Sequence, residues 1–213
     1  MKSALIRWLA ALAVCVALST PAFAQTYTET GDAGQTLATA QVVPGGITRI
    51  NGTLGVLGEV DLYKLTFSTS ATITFHATSA DDPNLILFDA AGHGLWGDDD
   101  SGAGPNDLDA EITWTVAPGT YYLAYGENNI EAANAANVEF CGNDSDNCSA
   151  NKTDVLDHFN SSGDATGSYT ITISSPTSGD IVSTEVPTLS EWAMALLSGL
   201  LLIGAYLGMR RRA

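Results

Sequence analysis

The sequence predicts an all-β protein: an antiparallel β-sandwich of jelly-roll-like type, followed by one C-terminal transmembrane helix. Three observations predict it. Short runs rich in β-branched and aromatic residues recur between residues 47 and 173, separated by clusters of Gly, Pro, Asn and Asp. Several alternate with period two: in Thr72-Ile73-Thr74-Phe75 and Tyr169-Thr170-Ile171-Thr172-Ile173 one face is apolar and the other carries hydroxyls, so one face is buried. One long apolar run, 192–209, is followed by Arg210, Arg211 and Arg212.

The expected strands are 47–54, 62–67, 71–78, 85–88, 111–116, 120–125 and 169–173. About seven short strands with turns between them suit a sandwich. In 61–67, Asp61, Tyr63, Leu65 and Phe67 alternate with Leu62, Lys64 and Thr66, so one face is largely apolar. Pro118-Gly119 suits the centre of a type II turn, which predicts a hairpin between 111–116 and 120–125. Tyr121 and Tyr122 then point to opposite faces, and Tyr122, in phase with Ala124, is the expected core residue; Trp114 is expected in the core too. Before residue 188 the one segment with helical character is a turn at 130–137.

The N-terminal residues 1–24 read as a signal peptide. Lys2 and Arg7 precede an apolar stretch, 8–18, and Ala22-Phe23-Ala24 is an A-x-A cleavage site that would leave Gln25 first. The stretch is short for an uncleaved anchor, which needs about 20 apolar residues. Export removes Cys15 and leaves Cys141 and Cys148, an even count in an oxidising compartment. A disulfide between them would close a small turn-rich loop and stabilise by about 2–3 kcal/mol. Free thiols or metal ligation are the alternatives, although two cysteines without further N or S ligands make a poor zinc site.

Residues 25–185 form the expected extracytoplasmic domain. They hold 23 Asp and Glu against Arg49, Lys64 and Lys152, a difference of −20. Such a surface repels phosphate backbones, which argues against nucleic-acid binding, and attracts divalent cations or basic partners. The densest set of oxygen donors is Asp98, Asp99 and Asp100 with Asn106, Asp107 and Asp109. Calcium takes six to eight such donors in flexible geometry. The EF-hand pattern fails, because Gly102 falls where an oxygen ligand is required. An exposed Asp/Gly turn accounts for the same residues and is the plainer reading. The loop 143–147 has the same two readings. Catalysis finds little support: His76, His93 and His158 lie in unrelated contexts, and no nucleophile elbow or H-E-x-x-H motif is present.

The domain resembles the bacterial pre-peptidase C-terminal β-sandwich. The matching stretches are GQTLATAQ (34–41), EVDLYKLTF (59–67), NLILFDAAG (84–92), APGTYYLAY (117–125) and GSYTITI (167–173), in the family's order. One departure stands out. The family joins its last two strands closely, whereas 127–166 intervenes here and holds both cysteines.

The tail, 186–213, combines three parts. Thr188-Leu189-Ser190-Glu191 fits a capping box, and Trp192 suits a membrane–water interface. The 18 residues 192–209 make about 27 Å of helix, enough for the hydrocarbon core. The arginines stop transfer and face the cytoplasm. Val186, Pro187, Thr188, Leu189, Ser190, Glu191 and Trp192, with this span and Arg cluster, resemble the IPTL-type sorting signal of exosortase substrates in Gram-negative bacteria. The resemblance implies that an exosortase, a membrane transpeptidase, recognises the motif and removes the tail. The inner membrane is then a transient anchor, and the domain passes to the cell surface or the extracellular matrix. The expectation is a non-catalytic surface or matrix component, with extracellular polysaccharide or protein as possible partner. Alternatives are a calcium-dependent adhesin of sugars or proteins, and a secreted hydrolase or peptidase accessory.

Overall fold

Continuous burial in three strands and alternating burial in three others set the architecture. The computed structural model describes residues 25–101, 108–127, 130–141, 153–162 and 165–178. The chain divides into two compact units, Met1–Ile181 and Val182–Ala213, and every described residue lies in the first. In chain order the strands are β1 (Gln25–Thr28), β2 (Gln41–Val42), β3 (Ile47–Leu54), β4 (Val60–Phe67), β5 (Ala71–Thr78), β6 (Pro83–Phe88), β7 (Gly94–Asp98), β8 (Glu111–Val116), β9 (Gly119–Glu127), β10 (Ile130–Ala133), β11 (Glu139–Cys141), β12 (His158–Ser161) and β13 (Gly167–Ile173). No helix occurs among the described residues.

The strands form two five-stranded sheets, ordered β1-β3-β13-β5-β8 and β2-β4-β9-β6-β7, and a three-stranded sheet, β11-β10-β12. Strands of the first sheet alternate: in β5 and β13 every second residue is buried and the rest are Thr, Ser or His at partial or full exposure. One face of that sheet meets the core and the other meets solvent. The central strands of the second sheet are different. All six residues of β6 are buried, and β4 and β9 are nearly continuous, which requires cover on both faces.

Two cores supply that cover. Tyr63, Leu65, Phe67, Leu85, Leu87, Leu123 and Tyr125 of the second sheet pack on Ile50, Ile73, Phe75, Ile112, Ile171 and Ile173 of the first. On its outer side, Val60, Leu62, Ile86, Phe88, Tyr122 and Ala124 pack on Ile130, Ala132, Phe140, Cys141 and Leu156. The small sheet is therefore the third layer. It comes from the insertion 127–166, whose shape the family resemblance left open. Phe88 marks the contact, edge-to-face with Phe140 at 6.5 Å and Phe159 at 6.1 Å between centroids.

Four expectations are corrected. First, β8 and β9 form no hairpin: β8 pairs with β5 in the first sheet, and β9 with β4 and β6 in the second. Gly119 has φ +155°, far from the value near +80° at this position of a type II turn. Pro118-Gly119 instead carries the chain from one layer to the other, fastened by the Ala117 amide donating to the Tyr121 hydroxyl at 2.8 Å. Second, 130–133 is strand rather than a helical turn, because its apolar residues cover the outer face of the second sheet. Third, the sandwich is mostly antiparallel, yet the edge strands β1 and β2 run parallel to β3 and β4. Fourth, both faces of β9 are covered. Tyr122 is core as expected, in the outer cluster, while Tyr121 also packs, half-buried, against the inner one. Trp114 is half-buried at the rim, 6.4 Å from Trp96.

The expected signal peptide, Asn106, Asp107, Cys148 and the tail from 186 onward lie outside the described residues. Among the described residues no helix is long and apolar enough to cross a membrane. Cys141 is buried at the end of β11.

Candidate metal centre

One position on the apolar face of β4 is a carboxylate. Asp61 lies in phase with Tyr63, Leu65 and Phe67, so the strand aims it between the two large sheets, where its exposure is 0%. Its Oδ2 accepts a 2.5 Å hydrogen bond from the Tyr169 hydroxyl. Its Oδ1 is buried with no hydrogen-bond partner. A buried ionised oxygen left unpaired is costly, and the cost is removed either by a proton or by a bound cation.

Two further carboxylates converge on it. Oxygens of Asp32, Glu59 and Asp61 all lie within 4.8 Å of one another, with Asp32 exposed and the other two buried. Each is positioned by local backbone. Glu59 begins the return from the β3–β4 turn, and its Oε2 accepts the amides of Gly55 and Val56, the latter at 2.9 Å. Asp32 closes an Asx-turn onto the Gly34 amide at 2.6 Å. Gly34 has φ +72°, and a Cβ there would meet Thr39 Oγ1 at 2.6 Å, so glycine is required. The Leu62 amide donates to the Gly34 carbonyl at 3.0 Å and fastens this loop to β4. A fourth carboxylate, Glu29, ties the loop to the first sheet through the amides of Ala33 at 3.0 Å and Thr53 at 2.8 Å.

The electrostatics follow from this crowding. Burial pushes Asp61 up to about 7, against the Tyr169 hydrogen bond that favours its anion; Glu29, Glu59 and Asp32 raise it further. Burial also raises Glu29, opposed by the two amides it accepts. Tyr169 donates to Asp61, pairs with the Tyr63 hydroxyl at 2.6 Å and stacks on Tyr125 with centroids 3.5 Å apart. Burial holds all three tyrosines above their ordinary range, so they remain neutral.

Gly52 makes this network possible. A Cβ there would lie 2.2 Å from Tyr169 Cζ and hydroxyl oxygen, and 2.7 Å from the Tyr63 hydroxyl. Gly52→Ala is therefore expected to push Tyr169 off Asp61 and to destabilise by about 1–3 kcal/mol, read as a lower denaturation midpoint at unchanged m-value. An unchanged midpoint would show that the ring has room to move.

Of the residues expected to bind calcium, Asn106 and Asp107 lie outside the described residues, and Asp98, Asp99, Asp100 and Asp109 lie apart from the Asp61 cluster. Asp98 is fully buried at the end of β7, where Oδ2 accepts the amides of Glu111 at 2.6 Å and Ser101 at 3.3 Å; its Oδ1, like that of Asp61, is buried with no hydrogen-bond partner, but no second and third carboxylate converge on it among the described residues. Asp99 is buried in the bend that follows β7. Asp100 is exposed, and Asp109 lies 3.6 Å from His76. The signal for Asp61 was present in the sequence, as an acid in the apolar phase of its strand. Glu29 and Asp32 carried no periodic signal, because loop contacts bring them to the site.

The described part of the chain gives the centre; the tail is recognised by its sequence. Residues 186–212 match the IPTL-CTERM motif. An IPTL-CTERM signal implies export, delivery to the cell surface and processing by an exosortase-type membrane enzyme. Among solved structures, the chain is similar to the pre-peptidase C-terminal domain of collagenase from Bacillus anthracis. That match has 12% identity, covers 73% of this chain and 98% of that one, and has a TM-score of 0.36. The sorting signal named from the sequence is thus found again. No curated protein matches.

Proposed function

We propose that the protein is an exported β-sandwich, sorted to the cell surface through its IPTL-CTERM tail, that binds a divalent cation at Asp32, Glu59 and Asp61 and works by binding rather than catalysis. The observation that carries the cation site is the buried, unpartnered Oδ1 of Asp61 among converging carboxylates. An all-oxygen donor set with flexible loop members suits calcium, which accepts six to eight oxygens. Residues 1–24 direct export, the apolar run 192–209 holds the chain in the inner membrane until the exosortase acts, and the domain is then released as a surface or matrix component. This is the calcium-dependent form of the binding reading, with the ligands moved from the Asp98–Asp100 turn to the β4 site. Cys141 and Cys148 close the insertion by a disulfide; peptide mapping without reduction that finds either thiol free would remove that element.

Calcium at 100 times its Kd stabilises by about 2.7 kcal/mol, roughly 5–10 °C in Tm for a domain of this size. The test is a thermal scan of the protein with calcium and with chelator. Asp61→Asn and Glu59→Gln are expected to abolish the calcium shift. Asp98→Asn is expected to lower Tm equally in both conditions, because its carboxylate closes a turn. No shift in the wild type at millimolar calcium would reject the site.

A further inference from the structure

The outward face of the first sheet is unlike the rest of this acidic chain. Its outward strand positions carry two threonines on β1, one on β3, two on β13, three on β5 and two on β8, ten in all. Within these strands it carries a single carboxylate, Glu111, on the edge strand β8. Yet the exported domain has 23 acidic residues. Charge is thus segregated away from one broad face.

The hydroxyls there are held in place. Thr72 pairs with Thr115 at 3.1 Å and Thr74 with Thr113 at 2.9 Å, across β5 and β8. Thr170 donates to Asn51 Oδ1 at 3.1 Å, and Thr53 pairs with Ser168 at 3.3 Å, across β3 and β13. Neighbouring ranks stand roughly 4.8 Å apart across strands and roughly 6.7 Å apart along them. A bond between two hydroxyls uses one proton, so each Thr pair keeps one donor and spare acceptors. Their rotamers are already fixed, which lowers the entropy cost of binding.

The face is not featureless. A groove of about 540 Å3 is lined by Arg49, Asn51, Thr53, Ser168 and Thr170, with one carboxylate, Glu29, at its edge and tied to the Thr53 amide. A second depression of about 210 Å3 beside Thr78 and Ser79 shares Ser168 and Thr170 with it, so the two form one track across the strands. Arg49 is exposed in the groove and makes no ion pair among the described residues. Its planar fork presents five donors, and the Asn51 amide adds two more while its oxygen is occupied by Thr170.

We propose that this face is the binding surface for an uncharged polysaccharide, with the Arg49–Asn51 groove as its point of strongest recognition. Adjacent sugar hydroxyls match the guanidinium fork and the flanking hydroxyl ranks. A polyanion is repelled by a domain of charge −20. A polycation is drawn to the acidic surfaces and meets Arg49 here. No aromatic ring stands among these outward positions, since Trp114 packs toward the core. A single sugar therefore binds weakly, and a polymer gains by engaging several ranks at once. The groove borders the cation network at Glu29, Gly52 and Tyr169, but the cation ligands Asp32, Glu59 and Asp61 do not line it.

The test is affinity electrophoresis of the full chain in mild detergent, in native gels containing hydroxyethylcellulose, dextran or alginate. Wild type is expected to be retarded by an uncharged polymer and not by alginate. Arg49→Ala with Asn51→Ala is expected to weaken retardation at least tenfold, and Thr113→Asp to weaken it further. Arg49→Lys, a surface change that keeps the charge, is expected to lose most of the effect of the fork. A far-UV circular dichroism spectrum and a cooperative thermal transition like those of wild type certify that each variant is folded. The proposal is overturned by no retardation in either uncharged polymer, by retardation in alginate alone, or by variants that migrate like wild type. It is equally overturned if the same substitutions instead dissociate a dimer, which would make the face a contact between two copies. Loss of the calcium response with retardation intact would reject the cation site and leave this surface standing.

Discussion

Replacing Pro187-Thr188 by Ala-Ala will trap the full-length protein in the inner membrane and abolish the surface form. The change falls inside the IPTL-CTERM match. It leaves the apolar run 192–209 and Arg210 to Arg212 intact, so under the proposed reading insertion and orientation are expected to survive. What it removes is the feature that a plain anchor does not need. Proline restricts the residue before it to extended conformations, and Thr188-Leu189-Ser190-Glu191 is a helix-start pattern, so under the proposed sorting reading the pair marks where the exosortase engages the chain. Ala-Ala both lets the helix extend backward and deletes the Thr188 cap, whose loss alone costs about 1 kcal/mol of helix stability. Fractionation followed by mass spectrometry reads the outcome. Wild-type surface material is expected to begin at Gln25 and to lack 193–213, while the variant retains them. Surface protein that keeps the apolar run, or a variant that reaches the surface as wild type does, would refute sorting by cleavage.

How much of this was legible in the sequence depended on how local the cause was. Strands with one solvent face announced themselves, because Thr and Ile alternate in β5 and β13 whatever they pack against. The doubly covered strands β6 and β9 were also recognisable as strands, yet their second cover was invisible. It comes from residues 130–159, inside the insertion 127–166 with its few periodic cues, and the same apolar residues that read as a helical turn are strand because Phe88 and Ile86 await them. The Pro118-Gly119 turn was misread for the reverse reason: its local chemistry suits a hairpin, and tertiary pairing overrode it. The Asp98–Asp100 run drew attention by density, but Asp98 is committed to closing the bend through its Oδ2 and Asp100 is exposed. Asp61 was the better signal, a charge where alternation demands an apolar residue.

That charge makes the second large prediction. Without calcium, the protein will lose roughly 2–3 kcal/mol of stability between pH 5 and pH 8. Asp61 titrates at about 7 in the folded chain, against about 3.9 in the unfolded chain. A raised carboxyl pKa means the folded state holds its proton more tightly. The stabilisation is therefore complete below the unfolded value and is lost as pH rises through the folded one, up to about 4 kcal/mol in all. Burial is the main cause, and the charges of Glu29, Glu59 and Asp32 add to it. Glu29 is shifted the same way and steepens the loss. Asp89, lowered mainly by hydrogen bonds from His93 and Ala91, acts in the opposite sense, but its titration falls below this window. Calcium supplies the counter-charge that Asp61 lacks, so its pKa falls and the profile flattens. Binding near pH 6 then releases a proton, which titration calorimetry in buffers of different ionisation enthalpy detects. Asp61→Asn keeps the acceptor for Tyr169 and removes the charge. It is expected to flatten the profile in chelator, to raise stability at pH 8 and to abolish proton release. Urea midpoints from pH 5 to 8 decide it: a flat wild-type profile in chelator, or an Asp61→Asn profile as steep as wild type, would place the pH dependence elsewhere and take the buried anion out of the argument for a cation.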